Sequence, residues 1–277
     1  MRSIESAQNI KYKGWKQLLT PRGRKKEGAF LVESRKLTAE ALLAGLELET
    51  LIFRMSDANL LKDKLLDHLI KRGQIERDPL DELFDRAFVL PDSLFSKISQ
   101  MEASDGVLAV IKGSLKKSFS EEEGKAIKGK CILLDHIQDP GNAGAILRSA
   151  EAFGFGPILL VDCVDVENEK CLRSSMGAAF RLDLYSLSED QALSLKKNPC
   201  LPWYGADMEG EDYRTLEVPE SLMLLIGNEG QGLRPSFEKA LEKRVSIPMN
   251  EPVESLNAAI SASILMASFR YFALKGL

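Results

Sequence analysis

Two kinds of apolar pattern alternate along the second half of this chain. Short unbroken apolar runs predict buried strands, and stretches in which apolar residues recur every three or four positions predict amphipathic helices. The clearest pairing lies between Ile132 and Gly154. Ile132, Leu133 and Leu134 read as a strand, and Asp139, Pro140, Gly141 and Asn142 as a polar turn. Ala143, Ile146, Leu147, Ala150 and Phe153 then mark one face of a helix. Asn142 is placed to cap that helix, and Gly154 to take the left-handed position beyond its last turn. Further strands are expected at 158–161, 182–185, 203–206, 221–226 and 245–247. Helices are expected over 167–176, near Glu189, from Pro235, and from Leu256 to about Leu274. Such alternation predicts a mostly parallel sheet covered on both faces.

Residues 1–111 read as a smaller layered α/β unit. A polar helix opens it, followed by a strand at 29–32, a helix from Ser34 to Gly45 and a strand at 48–55. The next helix, over 57–72, has Leu61, Leu65, Leu66 and Leu69 on its apolar face and Gly73 as its stop. Strands at 86–90 and 107–111 flank a helix beginning near Pro91. Residues 112–130, KGSLKKSFSEEEGKAIKGK, lack a clean apolar period and read as a linker, which leaves 131–277 as the larger domain.

Composition narrows the function classes. An apolar content of 44% and a charged content of 28% are ordinary for a soluble globular protein. No apolar run approaches the roughly 18 residues of a membrane helix, and the N-terminus lacks the apolar core of a signal peptide, so a cytoplasmic protein is expected. Cys131, Cys163, Cys171 and Cys200 are widely spaced, and His68 and His136 lie far apart, which indicates neither a zinc site nor a disulfide framework. The formal net charge of −4 supplies no overall attraction for a polyanion. A local one exists. Lys11, Lys13, Lys16, Arg22, Arg24, Lys25, Lys26, Arg35 and Lys36 face only Glu27 and Glu33 in their stretch, with Tyr12 and Trp15 among them. Phosphate pairing and base stacking are both available there. A solvated basic face with its aromatics in the core is the alternative.

Three stretches carry candidate chemistry. In the first, Gly144 and Arg148 share a helix face, so Arg148 projects past a residue without a side chain toward the mouth of a strand-turn-helix unit, where open α/β sheets hold ligands. The second, Leu224 to Leu233 (LLIGNEGQGL), places Gly227, Gly230 and Gly232 after an apolar strand, where backbone groups can approach a ligand closely. Its spacing is neither a dinucleotide fingerprint nor a Walker loop. The third, Val245 to Ala259 (VSIPMNEPVESLNAA), ends a strand at Pro248 and caps a long helix at Ser255. Backbone groups near Ile247 and Leu256 are suited to an adenine edge between apolar walls.

Together, D-P-G-N-x-G-x-x-x-R, L-x-G-N-E-G-x-G, and I-P-M followed by V-E-S-L-N resemble the SpoU (TrmH) family of RNA ribose 2′-O-methyltransferases, of the SPOUT class. RSSMGAAFRL, from Arg173 to Leu182, resembles that family's second strand-helix region. The resemblance covers residues 131–277, and the N-terminal unit is similar to the ribosomal-protein-L30e-like domain many members use to bind substrate. It implies an α/β fold with a parallel sheet and a C-terminal trefoil knot, a homodimer formed through the C-terminal domain, and S-adenosylmethionine bound in the knot. Position by position, Ala206, Gly227, Ile247 and Leu256 fall on cofactor positions. Asn142, Arg148, Glu229, Ser255 and Asn257 fall on substrate and catalytic positions.

The implied reaction is attack of a ribose 2′-oxygen on a sulfonium methyl, with ribosomal RNA expected before transfer RNA. Arg148 is expected to act as an electrostatic clamp, because a guanidinium with a pKa above about 12 does not readily give up its proton. His136 stands near the first turn, but the resemblance does not require it. Glu251 stands where the family usually has glycine, which puts cofactor affinity in question. A non-catalytic RNA-binding module and a Rossmann-type nucleotide enzyme are the competing classes. The intact Asn142, Arg148, Glu229 and Asn257 argue against the first, and the absence of G-x-G-x-x-G against the second.

Overall fold

The computed structural model describes residues 1–71, 82–253 and 255–274; Gly73, the expected helix stop, lies outside them. The chain forms two compact units. One comprises Met1–Ser114 with Glu167–Phe180, the other Leu115–Val166 with Arg181–Leu277.

The first unit runs β1 (Arg2–Ser3), α1 (Ile10–Gln17), α2 (Pro21–Glu27), β2 (Ala29–Glu33), α3 (Arg35–Leu43), β3 (Leu48–Arg54), α4 (Ala58–Lys71), β4 (Phe88–Leu90), α5 (Asp92–Phe95) and β5 (Val107–Lys112). The five strands lie in the order β1-β4-β3-β5-β2, with β5 antiparallel to both its neighbours. Local chemistry sets several boundaries. Asn9 and Ser34 cap α1 and α3, Pro21 opens α2, and Gly28 ends α2 in the left-handed conformation that glycine tolerates. Tyr12 and Trp15 are buried: the Tyr12 hydroxyl donates to the Leu94 carbonyl at 3.0 Å, and Trp15 meets Phe88 edge-on at 5.3 Å. Of the two sequence readings for these aromatics, core anchoring is the one realised.

The second unit contains β6 (Lys116–Lys117), α6 (Glu121–Ala126), β7 (Lys130–Asp135), α7 (Pro140–Phe153), β8 (Ile158–Val161), β9 (Leu184–Leu187), α9 (Glu189–Ser194), β10 (Trp203–Asp212), β11 (Leu222–Ile226), α10 (Pro235–Glu238), β12 (Lys243–Ser246) and α11 (Ala258–Leu274). Between β8 and β9 the chain makes α8 (Glu169–Ser175), which packs on β2 and belongs to the first unit. All seven strands are parallel, in the order β12-β10-β11-β7-β8-β9-β6. Central β7 is buried from Cys131 to Asp135, as a strand covered on both faces must be. The chain leaves β7 toward β8 on one side and returns to β11 on the other, so the order reverses between β7 and β11. In open α/β sheets that switch point, at the carboxyl ends of the strands, is where ligands bind.

Several boundaries differ from the sequence reading. Residues 112–130 are no simple linker: they carry β6, paired with β9, and α6, which Ser120 and Glu123 close with a capping box. Helix α7 begins three residues earlier than expected. Asp139 is its cap, accepting from the Asn142 amide at 2.8 Å, and Pro140 holds the first helical position. Asn142 therefore sits inside the first turn with its side chain free for other work. Helix α11 starts at Ala258, and Asn257 caps it in place of Ser255, accepting from the amides of Ala259 at 2.9 Å and Ile260 at 3.3 Å. Gly154 ends α7 in the left-handed conformation, as expected.

Candidate active site

The loop that follows β11 is built around one glycine. A Cβ on Gly227 would lie 2.3 Å from the Gly232 carbonyl carbon and 2.5 Å from the Leu233 nitrogen, so the chain can close on itself there only without a side chain. Asn228 and Gly232 exchange two backbone hydrogen bonds, of 3.0 and 2.9 Å. The Asn228 side chain completes the turn: its Oδ1 accepts from the amides of Gly230 and Gln231, and its Nδ2 donates to the His136 carbonyl at 3.0 Å. The loop is thereby tied to the end of β7.

One wall of a cavity of about 350 Å³ is formed by this loop. Ala206, Gly227, Ile247 and Leu256, the four expected cofactor residues, all line it, together with Glu229 and Ser255. Ile226, Leu233, Leu241, Val245 and Leu265 supply apolar surface, and the glycine loop supplies backbone donors and acceptors. Its charged lining residues are Asp207, Glu229 and Glu238; no Lys, Arg or His lines it among the described residues. Glu251 is exposed and does not line the cavity, although Met249 does.

Glu229 links the cavity to Asn142 and Asn257, two of the expected substrate residues. Its Oε1 accepts from Asn142 Nδ2 at 2.5 Å, and Asn142 Oδ1 in turn accepts from Asn257 Nδ2 at 2.9 Å. Glu229 and Asn257, 87 and 115 positions from Asn142 in sequence, thus join it in one hydrogen-bonded chain. Arg148, two turns along α7 from Asn142, is exposed and makes no hydrogen bond or ion pair among the described residues. The structure does not place it on the cavity wall; it leaves the guanidinium free for a ligand outside. The His136 backbone is left-handed, with φ of 58°, and its contribution to the loop is its carbonyl. Neither Cys131 nor Cys163 offers a nucleophile: burial pushes Cys163 up to about 12, and Cys131 is also raised by burial.

Of the basic residues expected to meet RNA, Lys11, Lys13, Arg22, Lys25 and Lys26 are exposed in the first unit. Arg35 is half-buried and paired with Asp105 at 3.3 Å. Arg24 is a correction. It is 5% exposed and donates to the Leu18 carbonyl at 2.9 Å, so it holds α1 and α2 together and presents no charge to a ligand. Sequence reasoning also passed over Asn228, Asp135 and Arg234, whose partners lie far away in the chain.

The SpoU rRNA Methylase family matches residues 129–267, just over half of the chain, and the MRM3-like substrate binding domain matches residues 9–109. The chain belongs to the SpoU rRNA Methylase family. Among its relatives is the 23S rRNA (guanosine(2553)-2′-O)-methyltransferase RlmP of Bacillus subtilis (strain 168). The two are 31% identical over 274 residues, spanning 98% of this chain and 100% of the relative. The fold matches that of the SpoU methyltransferase AviRb from Streptomyces viridochromogenes, solved in complex with AdoMet, with a TM-score of 0.78 at 23% identity over 98% of this chain and 100% of that one. An RNA 2′-O ribose methyltransferase is similar over 98% of this chain and 99% of its own, with a TM-score of 0.75 and 25% identity. The SpoU match spans the glycine loop, the cavity and the Asn257–Asn142–Glu229 chain, and the MRM3-like match spans the exposed basic residues.

Proposed function

We propose that this SpoU-family protein transfers a methyl group from S-adenosylmethionine to a ribose 2′-hydroxyl of RNA, with ribosomal RNA as substrate. The observation that carries the reading is the charge of the cavity. Asp207 and Glu238 pair with Arg244, but Glu229 brings a carboxylate with no cationic partner among the described residues to a wall that no Lys, Arg or His lines, which suits a sulfonium cation and disfavours the phosphates of a dinucleotide. The cavity's volume falls in the range of small-molecule sites, its apolar walls suit an adenine, and the glycine loop brings backbone groups to the adenine edge. When bound, the cofactor supplies an electrophilic methyl on sulfur.

The chain's own residues do the rest. Positioning two reactants in line and stabilising a developing alkoxide are the tasks. Arg148 holds the phosphate beside the target ribose and favours the 2′-alkoxide electrostatically, keeping its own proton, while the hydroxyl proton passes to that phosphate or to water. Asn142 and Asn257 fix the ribose, and Glu229, at the rim of the cavity, keeps both asparagines in register with the glycine loop. Ser255 also lines the cavity, is exposed, and has its hydroxyl available to the ribose. Lys11, Lys13, Arg22, Lys25 and Lys26 grip the RNA backbone.

The name of the Bacillus subtilis relative supports ribosomal RNA over transfer RNA, and a ribosomal RNA substrate supports a cytoplasmic location. Exposed Met208, Val253 and Ile260 in the second unit are the kind of surface a homodimer covers. The test is Arg148→Ala. Methyl transfer to ribosomal RNA should fall by about 100- to 1000-fold, the loss expected of an electrostatic transition-state contact, while calorimetric affinity for S-adenosylmethionine stays within about twofold. Near-normal turnover would overturn the role of Arg148.

A further inference from the structure

One guanidinium gathers the carboxyl ends of four neighbouring strands. Arg234 stands at the exit of the glycine loop, immediately after Leu233. Its amide donates to Asp135 Oδ2 at 2.8 Å and its Nε to Asp135 Oδ1 at 2.7 Å. One terminal nitrogen donates to Glu189 at 2.9 Å, and the other to Asp162 at 2.9 Å. Asp135 ends β7, Asp162 follows β8, Glu189 follows β9, and Arg234 itself belongs to the segment after β11. Asp135 is fully buried, Arg234 is 19% exposed, and the Phe237 ring lies 5.1 Å from the guanidinium carbon. Ser236 donates to the same Glu189 carboxylate at 2.5 Å. Hydrogen bonds from Ser236 and Arg234 hold that carboxyl below the usual range.

The other end of the loop is pinned one residue along. Asn228, near the loop's start, donates to the carbonyl of His136, the neighbour of Asp135. Both ends of a loop that forms the cavity wall are therefore fastened to consecutive residues, the last of β7 and the one that follows it. Arg234 does not line that cavity. It reaches a bound ligand only through the position it gives Gly227 to Leu233, and through the loop's Glu229 it also sets where the cavity stands relative to Asn142.

We infer that Arg234 is a positioning residue, which holds the glycine loop in its ligand-ready shape by docking on Asp135. The inference deepens the reading of the cavity as an S-adenosylmethionine site and rests on it for the identity of the ligand. The planar fork matters as well as the charge, since three bonds donated in one plane to three separate carboxylates do not match the compact geometry of an ammonium group.

Two variants test this on the full chain. Arg234→Lys keeps the charge and loses the fork. Asp135→Asn with Arg234→Met removes the buried ion pair as a unit, keeps an acceptor for the backbone amide of residue 234, and by the behaviour of such replacements retains most of the stability. Hydrogen exchange on the ligand-free protein should show the Gly230 and Gln231 amides exchanging roughly 10-fold faster in both variants, with β7 and β11 unchanged, as a locally loosened segment does. Calorimetry should show Kd for S-adenosylmethionine raised roughly 10-fold or more in both, including the double variant at near-normal Tm. Recovery of affinity together with Tm in the double variant would make Arg234 merely structural and overturn the inference. So would unchanged exchange of the loop amides. Failure of the wild-type protein to bind S-adenosylmethionine would instead overturn the ligand assignment, and the exchange data would still judge the clamp.

Discussion

Replacing Gly227 with alanine tests how far the cavity depends on a single absent side chain. The added Cβ would sit 2.3 Å from Gly232 C, 2.4 Å from Gly232 O and 2.5 Å from Leu233 N. These are backbone atoms, so no side chain can turn aside to make room. The loop must open, which strains or breaks the two bonds between Asn228 and Gly232, each worth about 1 kcal/mol. Overpacking of this kind costs about 1–3 kcal/mol, and because the broken bonds are the means of relief the two figures overlap. A penalty of about 2–3 kcal/mol borne by the ligand-ready loop raises Kd roughly 30- to 150-fold. Isothermal titration with S-adenosylmethionine measures this directly, and thermal unfolding on the same samples should show Tm lower by only a few degrees, as a surface loop in a chain of this size implies. Affinity within about twofold of wild type, at normal Tm, would refute the assignment of this loop as the cofactor wall.

Other residues make separate tests. Asn257→Ala removes the cap of α11 and should cost about 1 kcal/mol in denaturant unfolding, whereas Asn257→Asp keeps the cap but loses the donor to Asn142, so transfer should fall with stability preserved. Equal activity of Asn257→Asp and wild type would remove the hydrogen-bonded chain from the mechanism. Arg24→Ala strands the Leu18 carbonyl and should cost about 1–3 kcal/mol of stability. Lys25→Ala with Lys26→Ala should leave Tm unchanged and lower the salt dependence of RNA binding by about one to two phosphate contacts. A fall in Tm without a change in that slope would move these lysines out of the RNA interface.

Signals confined to one turn of chain were readable from the sequence. Gly154 marks the end of α7 because its left-handed conformation is costly for other residues, and the run from Ile132 to Leu134 marks a strand buried on both faces. Where two residues of the same chemical type compete, the sequence is ambiguous. Asp139 and Asn142 both suit a cap, as do Ser255 and Asn257, and Pro140 decides the first case only because its fixed φ suits the opening position of the helix. The cavity-lining residues Gly227, Ile247 and Leu256 were readable because the glycine loop, the I-P-M turn and the start of the last helix are contiguous motifs. Arg24 was misread because a cation in a run of cations looks solvated until tertiary packing sets Leu18 O against it. The Arg234 cluster joins residues 135, 162, 189 and 234, which only the parallel sheet brings together. The strand β6 was missed because two lysines, Lys116 and Lys117, carry no apolar signal and owe their place to pairing with β9.

The central claim is most directly tested by incubating the purified protein with radiolabelled S-adenosylmethionine and separated ribosomal and transfer RNA from cells lacking its gene, then digesting the labelled RNA to nucleosides. A labelled 2′-O-methylnucleoside in the ribosomal fraction, absent with Arg148→Ala, is the expected result. A base-methylated product, or label confined to transfer RNA, would contradict it.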